Sequence, residues 1–243
     1  MLENKVIIYD DSCPMCRGYT YWFVAWGLLK AENRIGFGHA PESIIRNVDL
    51  DRGRHEIPLF DRETGETLYG LSALTHILET RWRWLKPIFR SRLFWWTFHP
   101  LYEIITYNRR VIAGCKHCDG FDCAPDLNRF YRIVYLAIAS VVVLVVGTLL
   151  ASCSLPAAKI GWAALIAFAL VGIVSGTLTR TFSGKVAGWN FAGNYATAIL
   201  MVALAMLPLT LVLVGINVNE FASWVVLGTA LILGLNETRR REL

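Results

Sequence analysis

The sequence predicts two parts: a small α/β domain, then an all-α domain of four membrane-spanning helices. Three observations predict it. Of the 24 Lys and Arg, 17 lie in residues 1–130, and so do 16 of the 19 Asp and Glu. The second half is therefore nearly charge-free, in a chain that is 55% hydrophobic and too apolar for an ordinary soluble protein of 243 residues. In the first half, short β-branched runs alternate with helical patterns, the order of a small α/β sandwich. The expected divisions are residues 1–112 for the α/β domain with its trailing basic, aromatic helices, 113–130 for a Cys-rich linker, and 131–243 for the membrane domain.

Lys5–Asp10 reads as a strand, being short, β-branched and followed by Asp11-Ser12. Cys16–Leu29 reads as a helix with an aromatic body. Asp11 or Ser12 is placed to cap it, and Pro14 suits its first turn, where a missing N–H costs nothing. Arg34–Gly38 is a short strand candidate, and Glu42–Val48 a short helix or turn. Glu56–Asp61 and Glu66–Gly70 form a hairpin pattern around a turn ending in Gly65. Leu71–Glu79 reads as a helix with Leu74, Ile77 and Leu78 inward. Residues 81–110 carry seven Arg or Lys against one acid, Glu103, interleaved with Trp, Phe and Tyr. That mixture fits helices lying at a membrane interface, and equally a helical cap on the soluble core.

Four apolar stretches follow. Ile133–Ala151, Ile160–Leu178 and Tyr195–Ile216 are uncharged and have the roughly 20 residues that a span needs. Phe221–Leu235 is shorter, at 15 residues. Arg129 and Arg132 precede the first stretch, Arg180 and Lys185 follow the second, and Arg239-Arg240-Arg241 follow the last. The positive-inside rule then places the soluble domain and the C-terminus in the cytoplasm of an integral membrane protein, as in a cell inner membrane. The N-terminus lacks the apolar region of a secretory signal. The modest net charge of +5 includes no basic tract suited to nucleic acid.

Chemistry concentrates at Cys13-Pro14-Met15-Cys16, directly after the first strand. A strand ending in CxxC is where a thioredoxin-like domain keeps its reactive disulfide. A helix N-terminus stabilises a thiolate, and two intervening residues let a second thiol resolve a mixed disulfide. Cys13, nearer the helix start, is the expected nucleophile, and Cys16 the resolving thiol. Structural thiols or half a metal site are the alternatives. Asp10 and Asp11 either raise the thiol pKa and so oppose the helix N-terminus, or accept a proton from Cys16. Ile57-Pro58 is a second candidate. In thioredoxin-like folds a cis-proline precedes the strand facing the CxxC, and its neighbour's backbone pairs with substrate. The alternative is an ordinary trans proline starting a strand.

A third cluster is Cys115, His117, Cys118 and Cys123. It could hold zinc as a Cys₃His set, or less readily an iron–sulfur group. Cys115 and Cys118 could instead exchange with Cys13 and Cys16, or all be structural thiols. The redox pair itself requires no cofactor. His39, His55, His76 and His99 show no metal spacing.

Residues 6–112 resemble the DCC family, DUF393, of predicted thiol–disulfide oxidoreductases. The resemblance rests on Tyr9-Asp10-Asp11-Ser12-Cys13-Pro14-Met15-Cys16, close to that family's Y-D-G-x-C-P-x-C opening. It continues through the Pro58 hairpin, Gly70 with its helix, and the arginine-rich helices ending in Tyr107-Asn108-Arg109-Arg110. Asp11 departs from the family, which usually has glycine there. The resemblance implies a thioredoxin-like fold with a CxxC redox site, and leaves the substrate open. The function expected is thus a membrane-anchored thiol–disulfide oxidoreductase acting on protein or small-molecule thiols and disulfides. A metal-binding membrane protein, or a scaffold subunit whose spans bind a membrane-protein partner, are the rivals.

Overall fold

A computed structural model describes residues 2–114, 125–152, 184–215 and 220–241, with positions 163, 166, 169, 172 and 174–181 between them. The chain divides into two compact units, Met1–Asn128 and Arg129–Leu243.

The first unit is built on four strands: β1 (Lys5–Tyr9), β2 (Arg34–Gly36), β3 (Pro58–Asp61) and β4 (Thr67–Tyr69). Their order across the sheet is β2-β1-β3-β4. β1 runs parallel to β2, pairing Ile8 with Ile35, and antiparallel to β3, pairing Val6 with Phe60. β3 and β4 form the antiparallel hairpin, pairing Leu59 with Leu68. Gly65 closes the hairpin turn at φ 72°, a conformation that favours glycine.

Six helices accompany the sheet: α1 (Pro14–Ala25), α2 (Glu42–Ile45), α3 (Leu50–His55), α4 (Gly70–Arg81), α5 (Lys86–Phe89) and α6 (Arg92–Ala113). Both sheet faces are covered. On one face Ile7 and Leu59 pack with Phe23 of α1 and Ala73 and Ile77 of α4. On the other, Val6, Ile8 and Phe60 pack with Phe37, Ile44 and Val48. This is why β1 is a continuous apolar run rather than an alternating one. Burying Ile7 and Ile8 fully stabilises the unit by about 1.5–3 kcal/mol each.

Several boundaries shift from those the sequence predicts. The first helix begins at Pro14 and ends at Ala25, and α2 is confined to Glu42–Ile45. Neither Asp11 nor Ser12 caps α1; Cys13 is itself the N-cap residue. Helix α3 has no counterpart among the sequence expectations. Its N-cap, Asp49, accepts a hydrogen bond from the Arg52 N–H at 3.1 Å, so the capping pattern was there to be read.

The second unit contains the long helices Arg129–Ser152, Lys185–Gly215 and Glu220–Arg240. Among the described residues, two segments are long and apolar enough to cross a membrane, Arg129–Thr148 and Lys185–Pro208. At 1.5 Å per residue the shorter reaches roughly 30 Å, the thickness of the hydrocarbon core. These segments overlap the expected first and third spans, Ile133–Ala151 and Tyr195–Ile216, the second of them beginning earlier, at Lys185. The expected second, Ile160–Leu178, lies largely outside the described residues. The expected fourth falls within Glu220–Arg240. Val146, Tyr195, Ile199, Ala203 and Met206 form a core in this unit. The Tyr135 and Thr197 hydroxyls share a buried hydrogen bond of 2.5 Å.

Candidate active site

The site forms where β1 ends and α1 begins. Asp10 leaves the strand, and a tight turn brings the Cys13 N–H to the Asp10 carbonyl at 3.3 Å. The Asp10 carboxylate holds that turn by accepting from the Ser12 N–H at 3.1 Å and the Ser12 hydroxyl at 2.5 Å. The Arg17 N–H then donates to the Cys13 carbonyl at 3.0 Å, closing the first turn of α1. Cys13 thus sits at the N-terminus of a 12-residue helix, where unpaired N–H groups and the helix dipole favour an anion.

Neither cysteine is in a disulfide, and both are buried, Cys13 at 0% and Cys16 at 3% exposure. The hydrogen bond Cys16 shares with Cys13 is the main reason one proton of the pair, at Cys16, is held far above the ordinary thiol range. Burial and the proximity of Cys13 add to the effect, while Arg109 opposes it. One turn along α1, the half-buried Tyr19 donates its hydroxyl to the Cys16 sulfur. Burial first, then the neighbouring sulfur, keeps that phenol protonated.

Arg109 supplies the cation. It comes from the C-terminal half of α6, is 6% exposed, and places Nη2 3.5 Å from Asp10 Oδ2. Nη2 also donates to the Arg54 carbonyl at the end of α3, at 2.8 Å. Burial alone lowers its pKa, but the surrounding Cys16, Asp10, Cys13 and Tyr19 outweigh that, so the guanidinium is held firmly charged. The sequence singled out Arg109 only as part of a resemblance, and Tyr19 only as part of an aromatic helix. The spacing from Cys16 to Tyr19, three residues along a helix, was the available signal for the second.

Asp10 and Asp11, taken together as possible proton acceptors, separate here. Asp10 faces the dithiol and Arg109. Asp11 turns away, with its carboxylate over Gly36 and Gly38 and 3.9 Å from His39 Nε2. A Cβ on Gly36 would lie 2.7 Å from Asp11 Oδ2, so the glycine makes room for the aspartate.

Among the described residues every peptide bond is trans, Ile57–Pro58 included, so Pro58 is the ordinary strand-start proline and not the cis one. The Ile57 backbone is already engaged. Its carbonyl accepts from the Gly70 N–H at 2.9 Å, and its N–H donates to the Tyr102 hydroxyl of α6. It is thus not open to pair with a substrate strand in this conformation.

Cys115, His117, Cys118 and Cys123 lie outside the described residues. Among the described residues no group of three or more His, Cys, Asp or Glu is placed to hold a metal. Two of the scattered histidines do converge: His55 and His99 line one cavity of about 80 Å³ with Glu56, Glu103 and Tyr107. Comparison with family models, curated proteins and solved structures gives no match.

Proposed function

We propose that the chain is a membrane-anchored thiol–disulfide oxidoreductase, its Cys13/Cys16 pair working in a thioredoxin-like domain of the DCC (DUF393) kind. The observation that carries the reading is a pair of buried, reduced thiols at the N-terminus of α1, beside the buried Arg109–Asp10 pair. Structural thiols need neither a helix N-terminus nor a buried cation beside them, whereas both favour a nucleophilic thiolate. The thioredoxin-like reading is supported by the strand order β2-β1-β3-β4, with a parallel first pair, an antiparallel hairpin, and helices after β1 and β4. The anchor is supported by the two apolar helices. A cytoplasmic domain is supported by the Lys and Arg flanking the apolar stretches.

The chemistry follows from the geometry. With its proton lost, the Cys13 sulfur attacks one sulfur of a substrate disulfide. A Cys13–substrate disulfide forms, and the other substrate sulfur leaves as a thiolate. Cys16 then gives up its proton and attacks Cys13. The Cys13–Cys16 disulfide forms and the second substrate thiolate is released, so the substrate gains the two electrons that the pair loses. A dithiol of protein or small-molecule origin returns the pair to its reduced state. Since Cys13 is fully covered, the attack requires a local opening around it.

The test is trapping in membranes. Cys16→Ser should accumulate mixed disulfides, visible after acid quenching and alkylation on non-reducing gels and identifiable by mass spectrometry. Cys13→Ser should accumulate none. Equal trapping by the two variants, or none by either, would sink the assignment.

A further inference from the structure

Helix α6 has two different sides. Tyr102, Thr106 and Arg109, at helical spacing, face the domain, and Arg109 reaches the dithiol. Leu93, Trp96 and Leu101 form a stripe on the opposite side that no described residue covers, with Leu93 at 72% and Trp96 at 77% exposure. Just before it, Trp84 and Ile88 are also exposed. The polar residues around this stripe are of one sign. Arg81, Arg83, Lys86, Arg90 and Arg92 are all exposed, and no Asp or Glu occurs between Arg81 and Tyr102.

A protein partner of ordinary composition would ask for mixed charges at the rim of such a surface. An apolar stripe with Trp, collared only by cations, instead matches the interface of an anionic bilayer. The bilayer is also near in chain terms. Only residues 114–128 separate α6 from the first membrane-capable helix, a tether of at most roughly 50 Å.

We propose that the outward stripe of α6, with the cations preceding it, docks on anionic lipid headgroups, its aromatic side chains entering the headgroup–acyl boundary. The proposal rests on the membrane-anchor part of the functional reading and is independent of the redox chemistry. Docking would seat on the bilayer the helix that carries Arg109 and Tyr102.

The experiment uses the full chain in nanodiscs, one copy per disc, of phosphatidylcholine alone or mixed with phosphatidylglycerol. Hydroxyl-radical footprinting with mass spectrometry reads the oxidation rates of Trp84 and Trp96, with His39, 85% exposed at its side chain, as internal control. The expected result is several-fold slower oxidation of both tryptophans in phosphatidylglycerol discs and an unchanged His39. The triple variant Arg83→Gln, Lys86→Gln, Arg90→Gln should abolish the difference, and all three positions are exposed, so the fold is spared. Equal rates in the two lipids overturn the docking. So does protection that appears only with two copies per disc, which would assign the stripe to self-association. Loss of the chain from both kinds of disc overturns the anchor as well, whereas retention without protection overturns the docking alone.

Discussion

Replacing Arg109 with glutamine tests the electrostatics of the site most directly. Its guanidinium is 6% exposed and lies 3.5 Å from a carboxylate that is itself 7% exposed. At an effective dielectric of about 20, that separation corresponds to about 5 kcal/mol of attraction. Removing one partner of such a pair leaves a buried charge alone, which costs about 3–5 kcal/mol of stability. Domains of this size hold about 5–15 kcal/mol in total, so Arg109→Gln should fold but melt markedly earlier. The second consequence is chemical. Arg109 is the cation opposing the upward push on Cys16, and Asp10 lies on the other side of the balance. Losing an opposite charge at this range moves a titration by about 1–3 pH units. The first proton of the dithiol should therefore come off at higher pH by that amount.

The two consequences separate in the double variant Arg109→Gln, Asp10→Asn. It removes both charges, so much of the lost stability should return. Its thiolate titration should fall between those of the wild type and the single variant. The assay is the pH dependence of thiolate ultraviolet absorbance, with the Cys13→Ser protein subtracted, which needs no reagent to reach the buried sulfur. Denaturant unfolding gives the stability. A folded Arg109→Gln protein whose first thiolate titrates as in the wild type would refute the electrostatic role.

Three further outcomes are expected. Tyr19→Phe keeps the edge-on ring contact with Phe23 at 5.9 Å but removes the donor to Cys16, so the mixed disulfide should live about 2- to 10-fold longer in a quenched time course. Gly36→Ala has an ordinary backbone at φ −72° but drives a methyl into Asp11, so it should cost about 1–3 kcal/mol, and Asp11→Gly in the same chain should recover most of it in a double-mutant cycle. The hydrogen bond from Lys5 at 2.5 Å is the main cause of a lowered Asp61 pKa, so its stabilisation is present above the ordinary value of 3.8 and is lost as pH falls through the lower folded value; acid unfolding of Asp61→Asn should lack that component.

What the sequence made legible is what local rules determine. The strand before the CxxC, the hairpin with its glycine and the helix carrying both thiols follow from β-branching, turn chemistry and periodicity over a few residues. The short helix α3 was legible in principle through its Asp49 cap. The identity of the cation was not. Arg109 and Arg110 are adjacent and chemically alike, yet Arg109 is buried at the dithiol and Arg110 is not. What distinguishes them is the angle at which α6 meets α1 and the end of α3, about 95 residues from Cys13, and no window of sequence encodes that. The same holds for Ile57. Its place before a proline suggested an open backbone, but the Tyr102 hydroxyl from α6 occupies the N–H.

Helix α6 also explains why one stretch of sequence supported two readings. A helix rich in arginine and aromatics fits both a membrane interface and a cap on a core, because composition does not record direction. The structure resolves the cap half: Tyr102, Thr106 and Arg109 recur at intervals of four and three and turn inward together. At about 3.6 residues per turn, Leu93, Trp96 and Leu101 then fall together on the outer side. Among the described residues, the five cations and the apolar stripe stay exposed. A stripe of that size stays exposed only if something outside covers it. The cap reading thus implies the surface that the lipid experiment tests.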